Sequence, residues 1–284
     1  MAKLLVFGAG YSGLAIARRA TAEGIRTAVT SRGAVAQAGP GIEVVAFDAA
    51  DRALRDADFV VATAAPDAAG DPVLARWATQ ISDCGAQWFG YLSTTGVYGD
   101  RDGAWVDEDT PPAPGQPRSQ LRLTAEKQWV AAAGGRPLDL IRLAGIYGPG
   151  RSALDDVRSG QARRVIKPGH AFGRIHRDDI AAGVLAAVHH PPGGTRVLNF
   201  VDDQPAESAA VIGHAAQLLG LPAPPAVPFE TAVNGMSAMG RSFWAENRKV
   251  SNVMTKAALG IAWRYPSYRE GLEAILAEER GQGR

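Results

Sequence analysis

The chain is poor in cysteine, in one-sided charge and in long apolar runs. Cys84 is the single cysteine among 284 residues, which excludes an internal disulfide and fits a reducing compartment. Cys84 reads either as a catalytic thiol or as a small buried apolar residue near a helix end. Thirty basic and 29 acidic residues leave a formal charge of +1, so charge gives no ground for a nucleic-acid or membrane partner. No apolar run approaches the roughly 18 residues of a membrane span. The opening MAKLLVFGAG ends its apolar run in glycines and lacks the sections of a secretory leader, so a cytoplasmic protein is expected. No metal site is expected either. His170, His176, His189, His190 and His214 lack metal-ligand spacing, and His189-His190 ends a predicted helix. The acids Asp100, Asp102, Asp107, Glu108 and Asp109 lack the alternation of a calcium loop and read as a solvated loop.

What is present is a regular alternation of short apolar runs and helical stretches. Candidate strands are Lys3–Phe7, Arg26–Thr30, Glu43–Phe47, Phe59–Thr63, Gln87–Leu92 and Leu138–Arg142. Helices are predicted near Ser12–Glu23, Pro72–Cys84 and Arg118–Ala133. Apolar strands separated by helices imply a parallel sheet covered on both faces, an α/β Rossmann-type doubly wound fold. Beyond residue 145 the pattern loosens. Asp178–Val188 reads as a helix, Arg196–Phe200 as a strand and Ala206–Leu219 as a helix. Pro222–Pro228 reads as a proline-rich loop, Ser251–Leu259 as a helix and Ser267–Glu279 as the last helix. The expected division is a dinucleotide-binding domain over 1–147 and 177–200, with a smaller substrate lobe over 148–176 and 201–284.

Gly8-Ala9-Gly10-Tyr11-Ser12-Gly13 matches G-x-G-x-x-G between a predicted strand and a predicted helix, the context that gives the motif weight. Gly8 permits the tight turn, Gly10 lets backbone approach a pyrophosphate, and Gly13 lets the helix pack on the strand. Tyr11 and Ser12 open a helix whose free N–H groups face the anion. A NAD site would place an acid about 20 residues further on, to accept from the ribose 2′-hydroxyl. Here stand Thr30-Ser31-Arg32, with no acid between Glu23 and Glu43. Arg32, helped by Ser31, suits a 2′-phosphate, so NADP is preferred and NAD remains possible.

Several further pieces agree with this loop. Asp48 ends the third strand, and Thr63-Ala64-Ala65-Pro66 follows the fourth. Leu92-Ser93-Thr94-Thr95-Gly96-Val97-Tyr98-Gly99, Arg142-Leu143, Tyr147-Gly148-Pro149-Gly150 and Ile175-His176-Arg177-Asp178-Asp179 complete the set. Together they resemble the extended short-chain dehydrogenases/reductases, the epimerase and dehydratase group, over residues 1 to about 200. The resemblance implies that Asp48 meets the adenine end, that Ala64, Ala65 and Pro66 line the nicotinamide ribose, and that Ser93 lies at the cofactor. It also implies that Thr94 offers the hydroxyl that orients a substrate.

That family exchanges a proton through a tyrosine whose pKa is lowered by a lysine one helical turn later. This pair is missing. The six tyrosines are Tyr11, Tyr91, Tyr98, Tyr147, Tyr265 and Tyr268, and none has lysine at the fourth residue after it. Anchored on Ala125-Glu126, the pair falls on Arg118 and Arg122; a shifted register falls on Leu123 and Lys127. Arginine stays protonated and cannot serve as the exchanging base. Arg118 and Arg122 therefore read as an electropositive spot that binds a substrate carboxylate or phosphate, or else as a cofactor contact or solvated charge. Tyr98 is a candidate substitute acid.

The pattern is most similar to the atypical branch of the superfamily, which keeps the cofactor fold and loses standard catalytic residues. Arg163, Arg164, Lys167, Arg174 and Arg177, with Arg241, Arg248 and Lys249, suggest an anionic small-molecule substrate or ordinary surface charge. The resemblance makes a homodimer an expectation. Two functions follow: an NADP-dependent oxidoreductase, epimerase or dehydratase with nonstandard acid/base groups, or a non-catalytic NADP-sensing regulatory protein.

Overall fold

The computed structural model describes residues 1–35 and 38–282. Strands β1 (Lys3–Phe7), β2 (Arg26–Ser31), β3 (Ile42–Ala46), β4 (Phe59–Ala62), β5 (Trp88–Thr94), β6 (Leu138–Leu143) and β7 (Thr195–Phe200) form one sheet in the order β7-β6-β5-β4-β1-β2-β3. Every pairing in it is parallel. Helices α1 (Tyr11–Ala22) and α4 (Arg177–His189) cover one face, where Ile16, Ala20, Ile180 and Val184 meet Val6, Trp88 and Phe200. Helices α2 (Pro72–Asp83) and α3 (Pro117–Ala133) cover the other, where Trp77 and Trp129 meet Phe7, Phe89 and Leu138. A strand buried on both faces has no polar side to alternate with, which is why β1 and β4 are apolar along nearly their whole length.

Register positions the site. Phe7 lies opposite Thr30 on one side and Ala62 on the other, and Thr94 lies opposite Leu143. Residues just past those points, Gly8, Ser31 and Thr63, therefore share one edge of the sheet. Between β1 and β4 the strand order reverses, opening the crevice where ligands bind in such sheets.

A third core holds Tyr147, Leu154, Ile212, Tyr268 and Leu272, joining α5 (Ser208–Leu219) and α6 (Tyr268–Gln282) to the helix Ala153–Arg158. Leu259 and Trp263 pack instead into the α1/α4 face of the sheet. Three short parallel pairs tie the outlying segments together: Gly145–Tyr147 with Arg174–His176, Arg164–Ile166 with Ala226–Pro228, and Trp105–Val106 with Lys249–Val250. No helix among the described residues is long and apolar enough to cross a membrane.

Several boundaries differ from expectation, each for a physical reason. β5 runs on to Thr94, placing Ser93 and Thr94 within the sheet. The helix expected from Ala206 starts at Ser208 because Ala206 is held in a bridge to Phe172. The helix expected from Ser251 starts at Val253, since the Ser251 N–H donates to the Val106 carbonyl at 2.8 Å. Part of the proline-rich loop is a strand, Ala226–Pro228, in a two-stranded pair where each strand is an edge and a missing donor is tolerated. Asp51–Arg55 forms a short helix where none was expected.

Candidate functional site

The glycine loop is built by close approach. A side chain on Gly13 would put its Cβ 1.9 Å from the Gly8 carbonyl oxygen, so only glycine lets α1 lie against the loop. Gly8 sits at φ +118°, and a Cβ there would lie 2.5 Å from the Thr63 hydroxyl. The Gly8 and Ala9 N–H groups donate to Thr30, to Oγ1 at 3.2 Å and the carbonyl at 2.9 Å, which fixes the loop on β2. Gly10 is different: a Cβ there would meet nothing within 4 Å. Beyond that open side stands the start of α1, with Tyr11 and Ser12 in its first turn, no side-chain cap and no acid. An uncapped helix N-terminus carries free N–H groups and partial positive charge, so the cradle fits the pyrophosphate of a dinucleotide.

The adenosine end follows the same edge. Ser31 ends β2 and its hydroxyl accepts from the Gly33 N–H at 3.1 Å. Arg32 is the next residue and is exposed. Arg18, on α1, reaches the same loop and donates from Nε to the Ala38 carbonyl at 3.1 Å, a neighbour the sequence reading missed. Asp48 lies in a 3₁₀ turn after β3, its side chain exposed and 3.9 Å from the Arg76 guanidinium.

The fourth-strand turn is gripped from α3. Arg122 Nη1 donates to the Ala64 carbonyl at 3.2 Å, the Tyr91 hydroxyl at 3.1 Å and the Leu92 carbonyl at 2.8 Å. One guanidinium thus ties the end of β4 to β5, beside Ala65 and Pro66. Lys127 is exposed, whereas Arg122 is half-buried against the ends of β4 and β5. Arg118, one turn earlier, is exposed and lies over the ring of Phe243, 3.9 Å from its centroid. Phe243 belongs to the helix Ala238–Trp244, so this stack spans from the sheet domain to the C-terminal part.

Thr94 is half-buried at the end of β5, and its Oγ1 accepts from the Gly96 N–H at 3.1 Å. An accepting hydroxyl keeps its own hydrogen free to donate. Tyr98 differs sharply. It is fully buried, and its hydroxyl donates to Asn199 Oδ1 at 2.8 Å. Burial pushes its phenol pKa up, against the pull of Arg142. A buried phenol with its proton already committed is not placed to serve a substrate.

Sequence reading also missed the polar assembly beneath Thr94. Glu126 takes both Nε and Nη2 of Arg142, at 3.1 and 2.9 Å, and accepts from the Ser93 hydroxyl at 2.5 Å. All three are buried. Ser93 therefore faces this pair. Glu108, expected in a solvated loop, instead accepts from the Thr255 hydroxyl at 2.6 Å and the Thr255 N–H at 3.1 Å. The basic residues do not gather into one patch. Arg164, Lys167 and Arg174 donate to the carbonyls of Pro224, Trp244 and Phe172, while Arg177 lies beside Tyr11 at the glycine loop. Cys84 is half-buried past the end of α2, its thiol 3.3 Å from the Ile81 carbonyl.

Comparison with known proteins sets this geometry in context. No family model matches the sequence. A conserved protein of unknown function from Silicibacter pomeroyi is 42% identical with a TM-score of 0.88, over 98% of this chain and 99% of that one. The human epimerase family protein SDR39U1, solved with NADPH, has a TM-score of 0.76 at 21% identity, over 97% of this chain and 99% of that one. This second likeness is one of fold. A 3-diazoavenalumate denitrifying reductase from Streptomyces is 30% identical over 180 residues, 59% of this chain. The chain spans 58% of that reductase's length.

Proposed function

We infer that this chain is an atypical member of the extended short-chain dehydrogenase/reductase superfamily, that it binds NADP and that it acts on a small polar, anionic substrate, a reading supported by its likeness to a putative NAD-dependent epimerase/dehydratase and to a reductase. The reading is an oxidoreductase, epimerase or dehydratase-type enzyme of the cytoplasm, working as a homodimer. The observation that carries it is the glycine cradle, open at Gly10 before the uncapped start of α1, with Arg32 in the place of an acid. The relative named as a reductase favours reduction among these reactions.

When bound, the nicotinamide supplies or accepts a hydride. The residues of the chain do the rest. Arg32 and Ser31 bind the 2′-phosphate, and Asp48 marks the adenine end. Arg122 braces the Ala64 carbonyl, so the turn that lines the nicotinamide ribose keeps its shape. Thr94 donates to a substrate oxygen, and Arg118 offers its fork to a substrate carboxylate or phosphate. Neither arginine releases a proton, so the proton comes from water or from the substrate's own acidic group.

Titration of NADPH and NADH by fluorescence tests the cofactor. NADPH binds about 10- to 100-fold tighter, the value of hydrogen bonds between a guanidinium and a phosphate. Arg32→Ala levels the two, and tighter NADH in the wild type overturns the reading. Oxidation of NADPH by carbonyl compounds bearing a carboxylate or phosphate tests the enzyme. A second reading, an NADP-sensing regulatory protein, is favoured by the buried and committed Tyr98 hydroxyl. Cofactor-dependent partner binding without turnover decides for it.

A further inference from the structure

The glycine loop is flanked at Tyr11 by two arginines that lie outside the glycine motif. Tyr11 is the first residue of α1, and its hydroxyl donates to the Pro149 carbonyl at 3.1 Å. Two guanidinium groups flank its ring, Arg177 at 5.2 Å and Arg151 at 5.7 Å from the centroid. Gly148 makes the approach possible: it sits at φ +156°, and a Cβ there would lie 2.5 Å from the Tyr11 hydroxyl and 3.1 Å from Arg177 Cβ. Arg177 is held through Nε by Asp178 at 3.0 Å, and a guanidinium fixed at Nε still presents its two Nη groups. Arg151 is exposed.

We propose that Arg151 and Arg177, set around Tyr11, bind the pyrophosphate of the dinucleotide beside the start of α1. This rests on the dinucleotide reading above and assigns two residues that the glycine motif does not contain. The charge balance supports it. A pyrophosphate carries two negative charges, and the N-terminus of a helix offers only about half a positive charge. The first turn of α1 contains no basic residue that could supply the remainder. Arg151 brings a full positive charge from the turn at Gly148, and Arg177, its charge shared with Asp178, brings its two Nη donors from the start of α4. Burial raises the Tyr11 phenol, while the two arginines pull it back, so the hydroxyl stays protonated and keeps its bond to Pro149.

Two probes separate this clamp from the rest of the site. ADP-ribose carries the pyrophosphate and no 2′-phosphate; adenosine 2′-monophosphate carries the reverse. Calorimetric titration of Arg177→Gln and Arg151→Gln shows about a tenfold loss for each arginine with ADP-ribose, NADH and NADPH alike, as expected for one lost charge-assisted bond. Adenosine 2′-monophosphate binds both variants as it binds the wild type. Wild-type affinity of either variant for ADP-ribose overturns the clamp for that arginine. An equal loss for both probes in a variant with unchanged thermal denaturation also overturns it, because the effect is then not confined to the pyrophosphate. A wild type that binds neither NADPH nor ADP-ribose overturns the dinucleotide reading itself.

Discussion

Replacing Glu126 with alanine strips a buried arginine of its counter-charge. Arg142 and Glu126 are 4% and 2% exposed, and the pair is joined by two bonds of 2.9 and 3.1 Å. Arg142 Nη1 is already without a hydrogen bond among the described residues. It also lies over the ring of Tyr98, 4.7 Å from the centroid. Removing one member of such a pair costs about 3–5 kcal/mol, because the other charge stays buried. A chain of this size loses roughly 3 kcal/mol of stability per molar urea, so the unfolding midpoint falls by about 1–1.7 M. Glu126→Gln keeps one acceptor oxygen and costs about 1.5–3 kcal/mol. The double variant Glu126→Leu with Arg142→Met removes both charges and lies within about 2 kcal/mol of wild type, since apolar replacement of a buried pair is often neutral. Urea denaturation followed by tryptophan fluorescence reads all three. A midpoint for Glu126→Ala within about 0.3 M of wild type, less than 1 kcal/mol on the same slope, refutes the reasoning.

Two further outcomes are expected. Gly13→Ala forces its Cβ against the Gly8 carbonyl, so α1 or the loop must move; stability falls by about 1–3 kcal/mol and NADPH affinity by at least tenfold. Wild-type stability and affinity, measured by thermal denaturation and titration, would count against the packing argument. His170 is buried between Phe172 and Trp244, and burial, helped by Lys167, pushes its pKa down to about 4. The unfolded chain, with a histidine pKa near 6.5, takes up the proton first as pH falls. The neutral ring's contribution is therefore complete above about pH 6.5 and lost progressively toward pH 4, about 3 kcal/mol in all. His170→Phe removes this dependence, so its stability relative to wild type rises as the pH is lowered from 6.5 to 4. A difference that stays constant across that range shows that the ring does not titrate in this way.

Much of the site was legible because its signals are local. The strand Lys3–Phe7, the glycines at 8, 10 and 13, and the missing acid after β2 all lie within a short stretch of chain. Periodicity found the seven main strands to within two residues, most sharply β1 and β4, where burial forces an apolar run. Helix starts were read less well where the decisive partner is distant. Ala206 is held out of α5 by Phe172, and Ser251 is held by Val106.

The sequence by itself determined the glycine cradle and left no tyrosine with lysine at the fourth residue after it, because glycine conformation, helix polarity and the order of side chains are properties of the residues. Only the tertiary structure decided what the remaining polar groups do. Tyr98 meets Asn199 across 101 positions, and Arg122 meets Ala64 across 58. Arg177 reaches Tyr11 at the glycine loop rather than joining Arg164 and Lys167. Whether a phenol, carboxylate or guanidinium is free to act depends on the partner that satisfies it once buried, and that partner is chosen by the packing of elements far apart in the chain.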